Sequence, residues 1–148
     1  MGLLQSLRTS TSALMAQRVR MDVIANNVAN MNTTRTADGT PYRRQTVVFG
    51  EQGKEVAFRD FLGHATGAGT QGGGVEVRRV IEDTSPPRRV HDPSHPDADA
   101  DGYVLLPNID IVTEMTDVVG ASRAYEASVT VLNATKALAQ SALRIGRG

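Results

Sequence analysis

The 148 residues are enough for one domain with extensions, and 40% of them are hydrophobic. Three Phe, three Tyr and no Trp argue against one dense central core, because aromatic side chains contribute the largest burial energies. The 16 basic and 16 acidic residues balance, which argues against a nucleic-acid binder, and the absence of cysteine excludes disulfides and thiolate chemistry.

Proline positions divide the chain into three parts, because all six prolines lie between Pro41 and Pro107. A proline inside a helix removes a hydrogen bond and clashes with the preceding turn, so long helices are predicted only at the two ends. The predicted fold class is α+β, with terminal helices that pair as a coiled coil and a small β-rich middle region. The predicted boundaries are residues 1–33, 34–107 and 108–148.

The first part carries a heptad pattern, which is typical of a coiled-coil seam. Apolar side chains recur every seven residues, and a flanking row adds one more; these predicted subunit-packing residues are Leu7, Leu14, Met21, Val28 and, in the flanking row, Ile24. We expect one helix from about Leu3 to Ala29, which ends where Asn and Thr side chains compete for backbone groups.

Three asparagines near the end of this helix, Asn26, Asn27 and Asn30, have two interpretations. Asn is a mediocre helix former, so the cluster is compatible with a frayed helix end whose amides are solvated. Alternatively, the amides hydrogen-bond across a helix interface and fix its register, as single buried polar residues do in coiled coils.

The middle part contains short runs rich in Val and aromatic residues, which predict strands at Thr46–Phe49, Val75–Glu82 and Tyr103–Leu106. The alternation of side chains in the second run slips at Arg79, which indicates a β-bulge. Half of the residues in Gly63–Gly74 are glycine, so this segment is predicted to be a flexible loop.

The last part predicts a long helix with two apolar seams, and Asn108 is its expected N-cap. The first seam consists of Met115, Val118, Ser122, Tyr125, Val129, Leu132, Lys136, Ala139 and Leu143. The second consists of Ala121, Ala124, Ser128, Val131, Thr135, Leu138, Ala142 and Ile145. One partner cannot cover both seams, so we expect at least two neighbouring helices and a multi-helix assembly.

No motif predicts a cofactor, a metal site or a catalytic group. Asp97–Asp101 resembles half of a calcium-binding EF-hand loop, but Asn108 stands where the loop needs a bidentate Glu. We expect a turn whose aspartates bond local N–H groups and in which Gly102 has a positive φ. His91 and His95 lack the further ligands of a zinc site. No nucleophile is placed beside a plausible base and the expected core is thin, so we expect neither an enzyme nor a small-molecule substrate.

Four segments resemble the bacterial flagellar basal-body rod protein family. Residues 22–33, which read DVIANNVANMNT, resemble the N-terminal signature of that family, and residues 114–127 resemble its C-terminal signature. Residues 41–45 and 92–104 are similar to the middle of the short rod proteins that form the proximal rod. The resemblance covers nearly the whole chain.

The resemblance implies a structural subunit that assembles helically around the export channel and transmits torque. Its expected partners are other copies of itself, other rod proteins, and membrane-ring and adaptor subunits, with no nucleic acid and no direct membrane insertion. Its expected location is the rod in the periplasmic space, reached through the flagellar type III apparatus without a cleaved signal peptide. The alternative is another helical assembly subunit or a coiled-coil adaptor of a secretion system.

Overall fold

The structure, a computed structural model, describes residues 2–52 and 73–146. In chain order its elements are α1 Leu3–Ala29, β1 Gln45–Glu51, β2 Val75–Glu82, β3 Arg88–His91, β4 Tyr103–Leu106 and α2 Ile111–Ile145. The predicted organisation, with two terminal helices around a small antiparallel β region, is confirmed. Most of the predicted glycine loop, residues 63–72, lies outside the described residues.

The two helices pack against each other in antiparallel directions. Arg20 of α1 contacts Asp117 of α2. Asn27, near the end of α1, contacts Glu114, near the start of α2. The apolar core is thin, as the scarcity of aromatic residues predicts. Among the described residues, the buried hydrophobic side chains are Ala16, Val23, Ile24, Val104 and Ala121.

β1 and β2 form a two-stranded antiparallel ribbon, here called the β1–β2 ribbon. Val48 pairs with Arg79 and Phe49 with Val77, so Arg78 is an extra residue in β2. The bulge predicted at Arg79 therefore exists but lies one residue earlier. Because the bulge adds one residue to β2, Val77 and Arg79 can pair with adjacent residues of β1, Phe49 and Val48.

β3 and β4 form a second hairpin, and β3 was not predicted because its sequence, RRVH, is mostly polar. The turn between the strands is the expected aspartate turn. Oδ1 of Asp99 accepts hydrogen bonds from the backbone N–H groups of Asp101 and Tyr103, and Gly102 has a φ of 76°. Val104 in β4 is only 2% exposed, so the hairpin contributes one residue to the buried apolar set.

The N-cap of α2 lies two residues later than predicted. Its N-cap is Asp110, whose carboxylate accepts hydrogen bonds from the backbone N–H groups of Val112 and Thr113. The prediction of Asn108 as the cap was wrong, because the chain is still extended between Pro107 and Asp110. These bonds, with the one from the Thr113 hydroxyl, lower the pKa of Asp110.

Replacing Asp110 by Ala should lower the urea midpoint of unfolding at pH 7, whereas Asn108→Ala should not. A lowered pKa in the folded state means that the carboxylate stabilises the fold above its ordinary pKa of 3.8. That contribution is lost as the pH falls through the folded-state pKa. Circular dichroism should therefore show the difference between Asp110→Ala and the parent shrinking below pH 3.8; a constant difference would contradict the cap's charged role.

Candidate functional site

The side chain of Asn27 is fully buried, and every hydrogen-bonding position of its amide is used. Its Nδ2 donates to the carbonyl of Gln45 at 2.8 Å and to Oε2 of Glu114 at 3.1 Å. Its Oδ1 accepts from the N–H of Gln45 at 2.9 Å and from the hydroxyl of Tyr42 at 3.1 Å. A side-chain amide has two donor and two acceptor positions, so Asn27 is saturated.

Two arginines neutralise two carboxylates around this amide. Arg44 donates through Nε to Glu114, which is 0% exposed, and through Nη2 to Asp117 at 3.3 Å. Arg20 donates to the other oxygen of Asp117 at 3.1 Å. The polar cluster, defined as Arg20, Asn27, Tyr42, Arg44, Glu114 and Asp117, thus joins α1, the segment entering β1, and α2.

Tyr42 takes part as a neutral donor. Burial raises the pKa of its hydroxyl, and the negative charges of Glu82 and Glu114 raise it further. The hydroxyl therefore keeps its proton at neutral pH and can donate to Asn27.

We propose that the polar cluster fixes how the helices are aligned. A shift of one residue along α1 would turn Asn27 by ~100° away from α2, because the helix has ~3.6 residues per turn. The buried carboxylate of Glu114 would then lose a partner, which costs far more free energy than the bonds contribute. Alternative alignments are penalised for this reason.

Only one of the three predicted register residues lies in this interface. Asn26 is exposed, whereas Asn30 donates to the carbonyl of Asn26 at 2.9 Å and forms the C-cap of α1. Oδ1 of Asn30 also accepts from Thr33 at 3.1 Å. Bonds from Asn26 or Asn30 to another subunit stay a prediction.

The predicted subunit-packing residues have different exposures within the single chain. Ile24 is buried, and the half-buried ones are Leu7, Leu14, Met21, Val28, Val118, Val129 and Leu132. Met115 is 61%, Leu143 70% and Tyr125 36% exposed. Contacts of any of them with a neighbour stay predictions.

The covered stripe of α2 lies between its two predicted seams and takes residues from both. Its buried or half-buried members are Val118, Ser122, Val129, Leu132 and Ala139 from the first seam and Ala121, Ala124, Ser128 and Thr135 from the second. α1 therefore sits between the seams, and the outer side chains of each seam remain uncovered.

One uncovered apolar row of α2 recurs every seven residues. Val131 is 54%, Leu138 68% and Ile145 83% exposed. Arg20 lies beside Asp117 and the two helices are antiparallel, so the start of α1 at Leu3 lies beside about residue 134, since both helices rise ~1.5 Å per residue. The last turns of α2 therefore extend beyond α1, and nothing in the described chain covers them.

A second contact, not foreseen from the sequence, holds the other end of the β1–β2 ribbon. Oγ of Ser12 accepts a hydrogen bond from the N–H of Val75 at 3.0 Å. Gly74 has a φ of 97°, and a Cβ there would lie 2.5 Å from Oγ of Ser12. A Cβ on Gly73 would collide with the carbonyl of Gln52. These last two glycines of the predicted flexible loop are instead required by close packing.

The acidic turn has protein partners for its aspartates. Asp97 accepts from the hydroxyl of Thr34 at 2.7 Å and lies 4.0 Å from Arg35, while Asp99 lies 3.5 Å from Arg89. In residues 2–52 and 73–146, no group of three or more His, Asp or Glu side chains is arranged to hold a metal ion.

Two family models match the helical ends of the chain. The model described as flagella basal body rod protein matches residues 7–35. The model described as flagellar basal body rod FlgEFG protein C-terminal matches residues 100–145. These matches cover most of α1 and all of α2, and they define the class as flagellar basal-body rod proteins.

Relatives that match along nearly the whole chain show which kind of rod protein this is. The flagellar basal-body rod protein FlgC of Bacillus subtilis is 48% identical over 147 residues, covering 96% of this chain and 97% of that protein. FlgC of Borreliella burgdorferi is 43% identical with 100% of both chains covered, and FlgC of Escherichia coli is 42% identical with 99% of this chain covered. The chain belongs to the FlgC family of flagellar basal-body rod proteins.

Replacing Asn27 by Asp should destabilise the chain by ~3–5 kcal/mol, the usual cost of a buried charge without a partner. A carboxylate at this position cannot donate to Glu114 and would repel it. Because the repulsion raises the pKa of the carboxylate pair, the loss should be largest at about pH 7 and smaller towards about pH 5.

The matched control is Asn133→Asp, at an exposed position in the middle of α2. Urea unfolding at both pH values measures the effect. Equal stability of Asn27→Asp and the parent chain at pH 7 would contradict the described cluster.

Proposed function

We infer that this chain is a structural subunit of the proximal rod of the bacterial flagellar basal body. The observation that carries this function is the identity to FlgC proteins along the whole chain, including the middle region. The relatives are named as rod proteins, and we propose a structural role without catalysis or a cofactor.

We propose that the uncovered rows of the helices pack against neighbouring subunits and form a helical coiled-coil layer around the export channel. The chain alone leaves Val131, Leu138 and Ile145 exposed at heptad spacing, and α1 leaves Leu4 and Met15 exposed by 77% and 66%. Apolar rows at this spacing favour burial against another helix, and the hydrophobic effect then drives assembly. The β region would lie outside this layer.

In this arrangement the neighbours are other copies of the chain, other rod proteins, and membrane-ring and adaptor subunits. The rod would transmit torque from the motor and carry the channel through the periplasm, after export by the flagellar type III apparatus. No helix in the described part of the chain combines the length and apolarity that crossing a membrane requires.

Replacing Leu138 by Asp should abolish swimming and complete rods without unfolding the isolated chain. Leu138 is 68% exposed, and a substitution at such a position usually changes stability by less than ~0.5 kcal/mol. A charge in a helix interface, by contrast, prevents its burial. Electron microscopy of basal bodies from cells that carry only the variant measures the effect.

Gln140→Asp is the matched control, because Gln140 is also exposed on α2 but lies outside the apolar row. It should leave rods and swimming intact. Complete rods built from Leu138→Asp would exclude this row from the subunit contacts. Complete rods in a strain that lacks the chain altogether would reject the proposed function itself.

A further inference from the structure

The β1–β2 ribbon is fastened to α1 at both ends by polar side chains of the helix. At one end, Ser12 binds the N–H of Val75 at 3.0 Å. At the other end, Asn27 binds both backbone groups of Gln45, at 2.8 and 2.9 Å. Val75 and Gln45 lie at opposite ends of the paired strands, so the two anchors hold the ribbon along its whole length.

The spacing of the anchors matches the length of the ribbon. From Ser12 to Asn27 the helix rises ~22 Å at ~1.5 Å per residue. From Gln45 to Glu51 the strand extends ~20 Å at ~3.4 Å per residue. Helix and ribbon can therefore meet at both points without a bend, and a displacement of the ribbon along α1 breaks both contacts together.

Each anchor depends on one particular residue type, glycine at position 74 and asparagine at position 27. The approach at Ser12 requires Gly74, because a Cβ there would lie 2.5 Å from the hydroxyl oxygen. The amide of Asn27 bonds the N–H and the carbonyl of Gln45 at once, which is how a neighbouring β-strand would bond them. The amide of Asn27 thus takes the place of a neighbouring strand at the first residue of β1.

We propose that Ser12 and Asn27 are positioning residues for rod assembly, which together set the direction of the β1–β2 ribbon along α1. This role presupposes the rod function proposed above. The helices do not need the Ser12 anchor to pair, but without it the ribbon pivots about Asn27. Val80 and Ile81 of β2, which are 43% and 41% exposed, then face a different direction in each displaced subunit.

A subunit with a displaced ribbon should block assembly of the parent chain as well as its own. Subunits with intact helices still enter the rod, but they present the wrong outer surface to the next subunit. Losing one hydrogen bond of ~1 kcal/mol raises the displaced population roughly fivefold per subunit, and a rod of many subunits multiplies that defect.

The experiment compares Ser12→Ala, Gly74→Ala and Asn27→Ala, each expressed alone and together with the parent chain. The measurements are swimming speed, the number of complete basal bodies per cell, and the amount of variant chain by immunoblot. The matched controls are Gly2→Ala, where a Cβ meets nothing within 4 Å, and Asn133→Ala, which is exposed on α2. Both controls should swim normally.

We expect Ser12→Ala and Gly74→Ala to reduce complete basal bodies at least fivefold and to do so dominantly, in the presence of the parent chain. Asn27→Ala should reduce them at least as much when expressed alone, because it also removes a partner of Glu114. Because the anchors act on one ribbon, Ser12→Ala combined with Asn27→Ala should reduce assembly by less than the product of the two single effects. Normal swimming of the single variants would overturn the proposal, and so would recessive defects of Ser12→Ala and Gly74→Ala.

Variants that fail to accumulate are also decisive. Gly74→Ala removes no group from either helix, so it separates orientation from helix formation. Degradation of all three variants would assign the anchors to folding alone and overturn the proposal. Complete rods in a strain without any copy of the chain would instead reject the rod function and leave the geometry of the anchors untouched.

Discussion

The fold depends on a single buried amide that has no unused hydrogen-bonding position. Asn27 joins the end of α1 to the start of β1 and to Glu114 of α2. The apolar core is too thin to align two long helices by shape alone, since few of its side chains are large. Directional bonds in a desolvated site therefore supply the alignment that packing supplies in richer cores.

The charges of the cluster balance, which explains how the carboxylate of Glu114 can be fully buried at its centre. Arg20 and Arg44 balance Glu114 and Asp117, and each carboxylate has more than one donor. A neutral and fully bonded group of charges adds little net stability over an apolar core but strongly disfavours other alignments. For a subunit that must offer identical surfaces to each neighbour, uniqueness of alignment matters more than total stability.

The sequence predicted most of the helices and strands but few of the contacts between them. Proline distribution and heptad spacing predicted α1, and a run rich in Val predicted the extent of β2, because these signals depend on the local sequence alone. The asparagine cluster was noticed, but choosing Asn27 over Asn26 requires knowing which face meets α2. The roles of Ser12 and Arg44 depend on partners that are distant in the sequence. The sequence of β3 is mostly polar, so only its pairing with β4 identifies it as a strand.

The described residues stop at Gln52, after β1, and resume at Gly73, before β2. This end of the β1–β2 ribbon lies beside Ser12, ~22 Å along α1 from the buried amide of Asn27. Chain inserted between these points is closed at its base by the bond from the Gln52 N–H to the Gly74 carbonyl, at 3.0 Å. Doubling the length of such an insertion costs only ~0.6 kcal/mol in closure entropy. Added length between Gln52 and Gly73 would therefore cost little closure entropy, and its base would lie ~22 Å along α1 from the buried amide that aligns the helices.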